Sequence, residues 1–297
     1  MSDLIYKECR LCARNCGVDR TRLAGYCRMK NEIYLSRAAL HFWEEPPISG
    51  TNGSGTIFFS GCSLSCVFCQ NLEISRGRTG KTVSVDRLAE IMIELESKGA
   101  HNINLVTPTH YIPSIAEAIR LARKNGLTIP IVYNTGSYDT VEALKMLDGL
   151  VDIYLPDFKY YTEKTAAEYS NATDYPRVAR AAIEEMYRQV GEPCFDEKGI
   201  MKKGVIVRIL LLPGHVAEAK LSLKYLVDTY GDSIYVSLMN QYTPMQDMKP
   251  PLNRTVTHEE YDDLVGYAER LGLKNGFTQD FGTAKESFIP PFNCEGV

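Results

Sequence analysis

Six times along this 297-residue chain, a short apolar run is followed by a stretch whose apolar residues recur at helical spacing. Segments 56–60, 102–107, 130–134, 152–158, 205–212 and 234–239 read as strands. Segments 84–98, 112–124, 140–147, 163–189, 217–230 and 258–271 read as helices. The strand runs are continuously apolar rather than alternating, the pattern of parallel strands covered on both faces. In 84–98, Val85, Leu88, Ile91, Met92 and Leu95 share one helix face, and Ser84 is placed to cap the first turn. Right-handed βα units in this number close, or partly close, into a barrel. The expected fold class is α/β: a partial (β/α)6 TIM-like barrel over 51–297, preceded by a cysteine-rich metal-binding segment at 1–50. An open doubly wound sheet is the alternative. Residues 1–50 read as irregular, 77–82 as a surface turn, 191–204 as a hairpin or loop, and 277–280 as a short last strand.

Seven of the nine cysteines fall within the first 69 residues. The chain has no apolar run of membrane-spanning length and no signal-type apolar stretch at its start, so a cytoplasmic protein is expected. In a reducing compartment, clustered cysteines are metal ligands rather than disulfides. The net charge of −4 gives no general reason to expect a nucleic acid or an anionic membrane as partner.

Cys62, Cys66 and Cys69 form a CxxxCxxC motif just beyond the first strand of the barrel. Three close thiolates can hold three corners of an iron–sulfur cubane and leave the fourth iron open to a substrate. Structural zinc would need a fourth ligand nearby, and neither His101 nor His110 has motif-like spacing. The carboxyl end of a barrel strand is the face on which barrel active sites lie. Phe68, beside the last cysteine, offers an apolar face for an adenine ring. Asp157 and Lys159 alternate at a later strand end, so both point one way. A lysine suits a carboxylate and an aspartate suits ribose hydroxyls; a solvated ion pair is the competing explanation.

The stretch GCSLSCVFCQN at 61–71 resembles the radical S-adenosylmethionine (SAM) superfamily. With LVTPTHY at 105–111, YNTGSY at 133–138, LPDFKY at 155–160, VRILLLPG at 207–214 and MNQYTP at 239–244, the chain looks like the pyruvate formate-lyase activating enzyme-like branch. The resemblance implies a [4Fe-4S] cluster on Cys62, Cys66 and Cys69, and reductive cleavage of SAM to a 5′-deoxyadenosyl radical that abstracts hydrogen. Activation of a glycyl-radical enzyme is one such use; modification of a small molecule or another macromolecule is the alternative. The resemblance also implies an electron donor of flavodoxin or ferredoxin type. Thr107 stands where many relatives carry a Gly-Gly-Glu element that holds the SAM amino group. Asn134, with Asp157 and Lys159, aligns with positions that hold ribose, carboxylate and sometimes a cation, and Arg208 and Tyr242 would face the same cavity. No catalytic residue is assigned.

Cys9, Cys12, Cys16 and Cys27 form a second, closed set. Four thiolates suit structural zinc, the reading taken first, or a second iron–sulfur cluster. Two readings stand outside SAM chemistry: an electron-transfer protein with four ligands per cluster, and a zinc module whose head contacts RNA or protein. His215 reads as a turn residue, and Cys194 as a free thiol. Cys294 is placed to fold back over the barrel mouth.

Overall fold

The computed structural model describes residues 2–245, 247–281 and 290–297. Ten strands form one sheet: β1 Ile33–His41, β2 Ser54–Phe59, β3 Lys81–Val83, β4 Ile103–Val106, β5 Ile131–Thr135, β6 Ile153–Pro156, β7 Cys194–Phe195, β8 Met201–Leu210, β9 Tyr235–Met239 and β10 Gly276–Thr278. The order is β10-β9-β8-β6-β5-β4-β2-β1-β3, with β7 beside β8. From β2 through β10 along that path every pairing is parallel, while β1 and β3 extend the edge as antiparallel strands. The molecule is thus an α/β partial barrel of TIM-like type with a cysteine-rich N-terminal extension.

Residues β4, β5 and β6 are buried at every position, because helices cover one face and the barrel interior the other. Ile131 and Tyr133 join the main apolar core with the helices, whereas Val132 lies with Ile48, Ile153, Leu155, Met201 and Ile206 in a separate inner cluster. The period of two along a strand produces this division. Helix Val85–Ser97 buries Leu88, Ala89, Ile91, Met92 and Leu95, and the Ser84 hydroxyl accepts from the Arg87 N–H as its N-cap.

Three sequence expectations change. Residues 1–50 are not irregular throughout, since β1 runs antiparallel to β2 over most of its length. The 77–82 turn runs into β3, which pairs with β1. The helical stretch from 163 is two helices, Glu163–Ser170 and Tyr175–Val190, broken at Asn171, whose φ of 47° is left-handed. β7 pairs antiparallel with β8 as the expected hairpin.

β1 delivers the chain to the amino-terminal end of the parallel strands. There the short helix Pro46–Ser49 inserts Ile48, fully buried, into the inner apolar cluster and so closes the barrel floor. At the other end, Phe292 packs edge-on against Phe58 at 5.4 Å, in a group with Ile74 and Val106. The Cys294 N–H donates to the Ser36 carbonyl at 2.9 Å, so the described end of the chain is tied back along β1.

Candidate active site

Gly61, Cys62, Cys66 and Cys69 occupy the loop that leaves β2 at its carboxyl end. Gly61 has φ 87°, and a Cβ there would meet Met29 Cγ at 2.3 Å and the Cys27 carbonyl at 2.7 Å. Only glycine lets the loop turn while pressed against the N-terminal segment. The loop is held from several sides. Val67 N–H donates to the Tyr169 carbonyl at 2.9 Å, and Gln70 Nε2 donates to the Gln241 carbonyl at 2.7 Å. His110 is buried, and its Nε2 lies 2.8 Å from the Ser60 carbonyl. Burial and the nearby Arg20 charge push the imidazole down to about 3, so the ring is neutral and donates that bond.

The three thiols lie within electrostatic reach of one another. Burial, then Cys66 and Cys69, push the Cys62 thiol up to about 12; burial and Cys66 also raise Cys69. A bound metal reverses this preference, because it stabilises thiolate directly. Ser170 donates its hydroxyl to Cys66 Sγ at 3.1 Å and shares a 2.7 Å hydrogen bond with Tyr160. Among the described residues no three His, Cys, Asp or Glu side chains already stand as a metal-ligating group. The sulfurs must turn toward a common centre on binding.

Below the loop, the inner face of the sheet carries a polar layer. Arg208 Nε donates to Asp157 Oδ1 at 2.7 Å, its Nη2 to Asn134 Oδ1 at 2.7 Å, and its Nη1 to Glu44 Oε2 at 3.3 Å. Lys159 Nζ bonds Asp157 Oδ2 at 2.6 Å. Burial alone would raise the Asp157 carboxyl, but Arg208 and Lys159 together bring it below its ordinary value. Asn104 Nδ2 donates to Glu44 Oε1 at 3.0 Å. Glu45 is buried beside this group, and burial, with Glu44 adding to it, lifts its carboxyl to about 7 despite the Arg208 charge.

The model of the Radical SAM superfamily matches residues 56–226, which span the cysteine loop and the strands through β8. The chain belongs to the radical SAM superfamily. An uncharacterized protein of Methanocaldococcus jannaschii is 31% identical over 280 residues, covering 91% of this chain and 76% of its own. Among solved structures, Streptococcus suis SuiB bound to S-adenosylmethionine superposes with TM-score 0.51 at 12% identity, over 75% of this chain and 49% of SuiB. SuiB bound to its precursor peptide SuiA gives TM-score 0.50 at 11% identity, over 75% of this chain and 47% of SuiB. This chain therefore spans about half of SuiB, and the likeness is one of fold.

Membership of the radical SAM superfamily implies an enzyme with a [4Fe-4S] cluster and SAM. The donor set fits: three sulfurs on one partly buried loop, with Lys159 close enough to Cys66 and Cys69 to act on them electrostatically. The structure brings Asn134, Asp157, Lys159 and Arg208 into one polar layer. Thr107, at the end of β4, has φ 51° and donates its N–H to the Asn134 carbonyl at 2.9 Å. Phe68 lies in an aromatic group, with ring centroids 6.3, 6.1 and 6.2 Å from Tyr160, Tyr169 and Tyr242. Tyr242 is fully buried, and its hydroxyl donates to the Leu252 carbonyl at 2.6 Å. His215 is hydrogen-bonded to the Tyr169 hydroxyl at 2.7 Å.

The N-terminal head docks on this radical SAM barrel beside the loop. Ala13 N–H donates to the Tyr138 carbonyl at 3.1 Å, and Cys12 forms a β-bridge with Asp139. Arg14, between the second and third cysteines of the head, donates to the carbonyls of Ser63 (2.8 Å), Leu64 (3.0 Å), Ser170 (2.6 Å) and Asn171, and stacks over Tyr26. One guanidinium thus ties the head, the cysteine loop and the residue that bonds Cys66 together. Arg20 is fully buried, donates to the carbonyls of Met29 (3.0 Å), Lys30 and His110, and lies 3.7 Å from Cys9 Sγ. The titratable groups acting on it are Cys27, Cys9 and Tyr6, with no carboxylate among them. Buried charge needs an opposite charge, and the cysteine sulfurs would supply it as metal-bound thiolates.

Sequence reasoning missed Glu44, Glu45, Arg14, Arg20 and Ser170. Glu44 and Glu45 stand beside Pro46 and Pro47, where an acidic pair reads as solvated; only the inward turn of the floor segment places them inside.

Proposed function

We propose that this radical SAM enzyme cleaves SAM reductively and uses the resulting 5′-deoxyadenosyl radical to abstract hydrogen from a substrate held in the barrel. The observation that carries this is the three-cysteine loop at the top of β2, set above a polar layer on β4, β5, β6 and β8. When bound, the cluster supplies a low-potential electron and an open iron for SAM. Cys62, Cys66 and Cys69 hold it, and Ser170 stabilises the charge on Cys66. Lys159 and Asp157 are placed to take the SAM carboxylate and ribose, and Thr107 the amino group. A one-electron donor of flavodoxin or ferredoxin type completes the cycle.

Hydrogen abstraction from a glycine in a partner polypeptide is the finer reading, supported by resemblance to the pyruvate formate-lyase activating enzyme-like branch. A head metal on Cys9, Cys12, Cys16 and Cys27 belongs to the same proposal, supported by the buried Arg20. The test is anaerobic reconstitution with iron and sulfide, reduction with dithionite, and addition of SAM. Formation of 5′-deoxyadenosine and methionine, lost in Cys66→Ala, is expected. No 5′-deoxyadenosine from protein with a full cluster would sink the proposal.

A further inference from the structure

The polar layer inside the barrel is unbalanced in one direction. Each positive group in it already has acceptors: Arg208 uses Asp157, Asn134 and Glu44, and Lys159 uses Asp157. The surplus is of acceptors. Among the described residues, Glu45 Oε2 and Asn104 Oδ1 are buried with no hydrogen-bond partner. Both residues are more than nine-tenths buried, at 8% and 0% exposure. Exchanging the amide atoms of Asn104 would not cure this, because its Nδ2 is needed by Glu44 Oε1. Leaving such atoms unpaired costs about 1–3 kcal/mol each.

The two orphans are joined through the side chains of the layer. Asn104 bonds Glu44, Glu44 bonds Arg208, and Arg208 is the principal positive charge acting on Glu45. Ser237 on β9 also acts on the Glu45 carboxylate and favours its charged form. The layer keeps some access: the side chains of Glu44, Arg208, Asp157 and Lys159 remain 10%, 13%, 15% and 19% exposed. Beneath it, Ile48, Val132, Ile153 and Ile206 make a dry floor.

We infer that the barrel takes its substrate by a protonated nitrogen, an ammonium or a guanidinium, whose N–H groups fill the acceptors of Glu45 and Asn104 beside Glu44. Such a group brings what the layer lacks, donors and one positive charge, and a neutral alcohol or a carboxylate does not. Charge-assisted hydrogen bonds of this kind are the strong ones. This rests on the radical SAM reading for what then happens to the substrate, but the binding step is separable from it. The competing account is that Glu45 keeps a proton and spends it on Asn104 internally.

The test uses the full chain, anaerobically reconstituted and loaded with SAM, with binding read by calorimetry and ligand-observed NMR. The probes are n-butylammonium and n-butylguanidinium, with n-butanol and butyrate as size-matched controls. Capped lysine and arginine amides form a second arm. Tighter binding of the capped residues assigns the nitrogen to a polypeptide side chain, and tighter binding of the free amines to a small molecule. The cations are expected to bind at least about ten-fold tighter than butanol, and Glu45→Gln to remove most of that preference. Asn104→Leu should reduce it by a smaller factor, which keeps the test informative if one variant folds poorly. Equal binding of cation and alcohol, or a cation preference kept in both variants, overturns the assignment. In the same samples 5′-deoxyadenosine reports separately on SAM cleavage, so failure of the radical reading shows there and not in the binding ratio.

Discussion

Glu45→Gln should make the substrate-free protein more stable, and by an amount that grows with pH. The ordinary carboxyl titrates near 4.5, and burial lifts Glu45 to about 7 in the fold. Between those values the folded chain keeps a proton that the unfolded chain has lost. Stability contributed by this site therefore falls as pH rises from 4.5, and the full penalty stands above pH 7. At about 1.4 kcal/mol per pH unit the penalty is under about 1 kcal/mol at pH 5 and about 3 kcal/mol at pH 8. Glutamine has the size of the neutral acid and never ionises, so the variant avoids the cost. The assay is anaerobic urea unfolding of the reconstituted parent and variant at pH 5 and pH 8, with titrations remote from Glu45 cancelling in the difference. A variant equal to or weaker than the parent at pH 8 would refute the claim that this carboxylate lies uncompensated inside the barrel. A gain of similar size at both pH values would mean that the benefit has nothing to do with charge.

Ser170→Ala should move the cluster's reduction potential to a more negative value, since a hydrogen bond to Cys66 Sγ is lost; an EPR-monitored redox titration reads it, and an unchanged potential sinks the role. Arg14→Ala should shorten the life of the cluster in air several-fold, measured by iron content and visible absorbance, because four carbonyls spanning the cysteine loop and the Ser170 turn lose their shared donor. Arg14→Lys should rescue this only in part, as an ammonium cannot fork across both segments. Elemental analysis of the Cys66→Ala protein should still find a metal bound by the head, and zero metal there would leave Arg20 buried without a counter-charge.

The barrel was legible because each of its βα units declares itself locally: β4, β5 and β6 are mostly apolar and buried at every position, and Ser84 marks a helix start by its own chemistry. Cys62, Cys66 and Cys69 were legible because the spacing of ligands is itself the signal. β1 was not, since its pairing with β2 is non-local and its sequence mixes Ser36 and Arg37 among apolar residues. Arg14 and Arg20 stand in the head among Arg10, Arg22 and Arg28, a run of basic residues that by itself reads as solvated surface. Nothing in their neighbours shows that one caps carbonyls around the cysteine loop, or that the other is fully buried against sulfur. Glu45 is the extreme case, because apart from Glu44 the side chains that act on it, Arg208 on β8 and Ser237 on β9, lie far from it in the chain.

The position of the floor segment has a consequence for how this enzyme can diversify. Glu44 and Glu45 precede the block at 56–226 that carries the family signature. Of the two groups proposed to take the substrate, Glu45 thus stands outside the stretch that carries the cysteine loop and Asn104 inside it. A chimera that exchanges residues 42–50 with the equivalent segment of a relative would keep the cysteine loop, the head and the strands intact. On the proposed site, part of the selectivity would follow the plug of the barrel while the cysteine loop is left as it is.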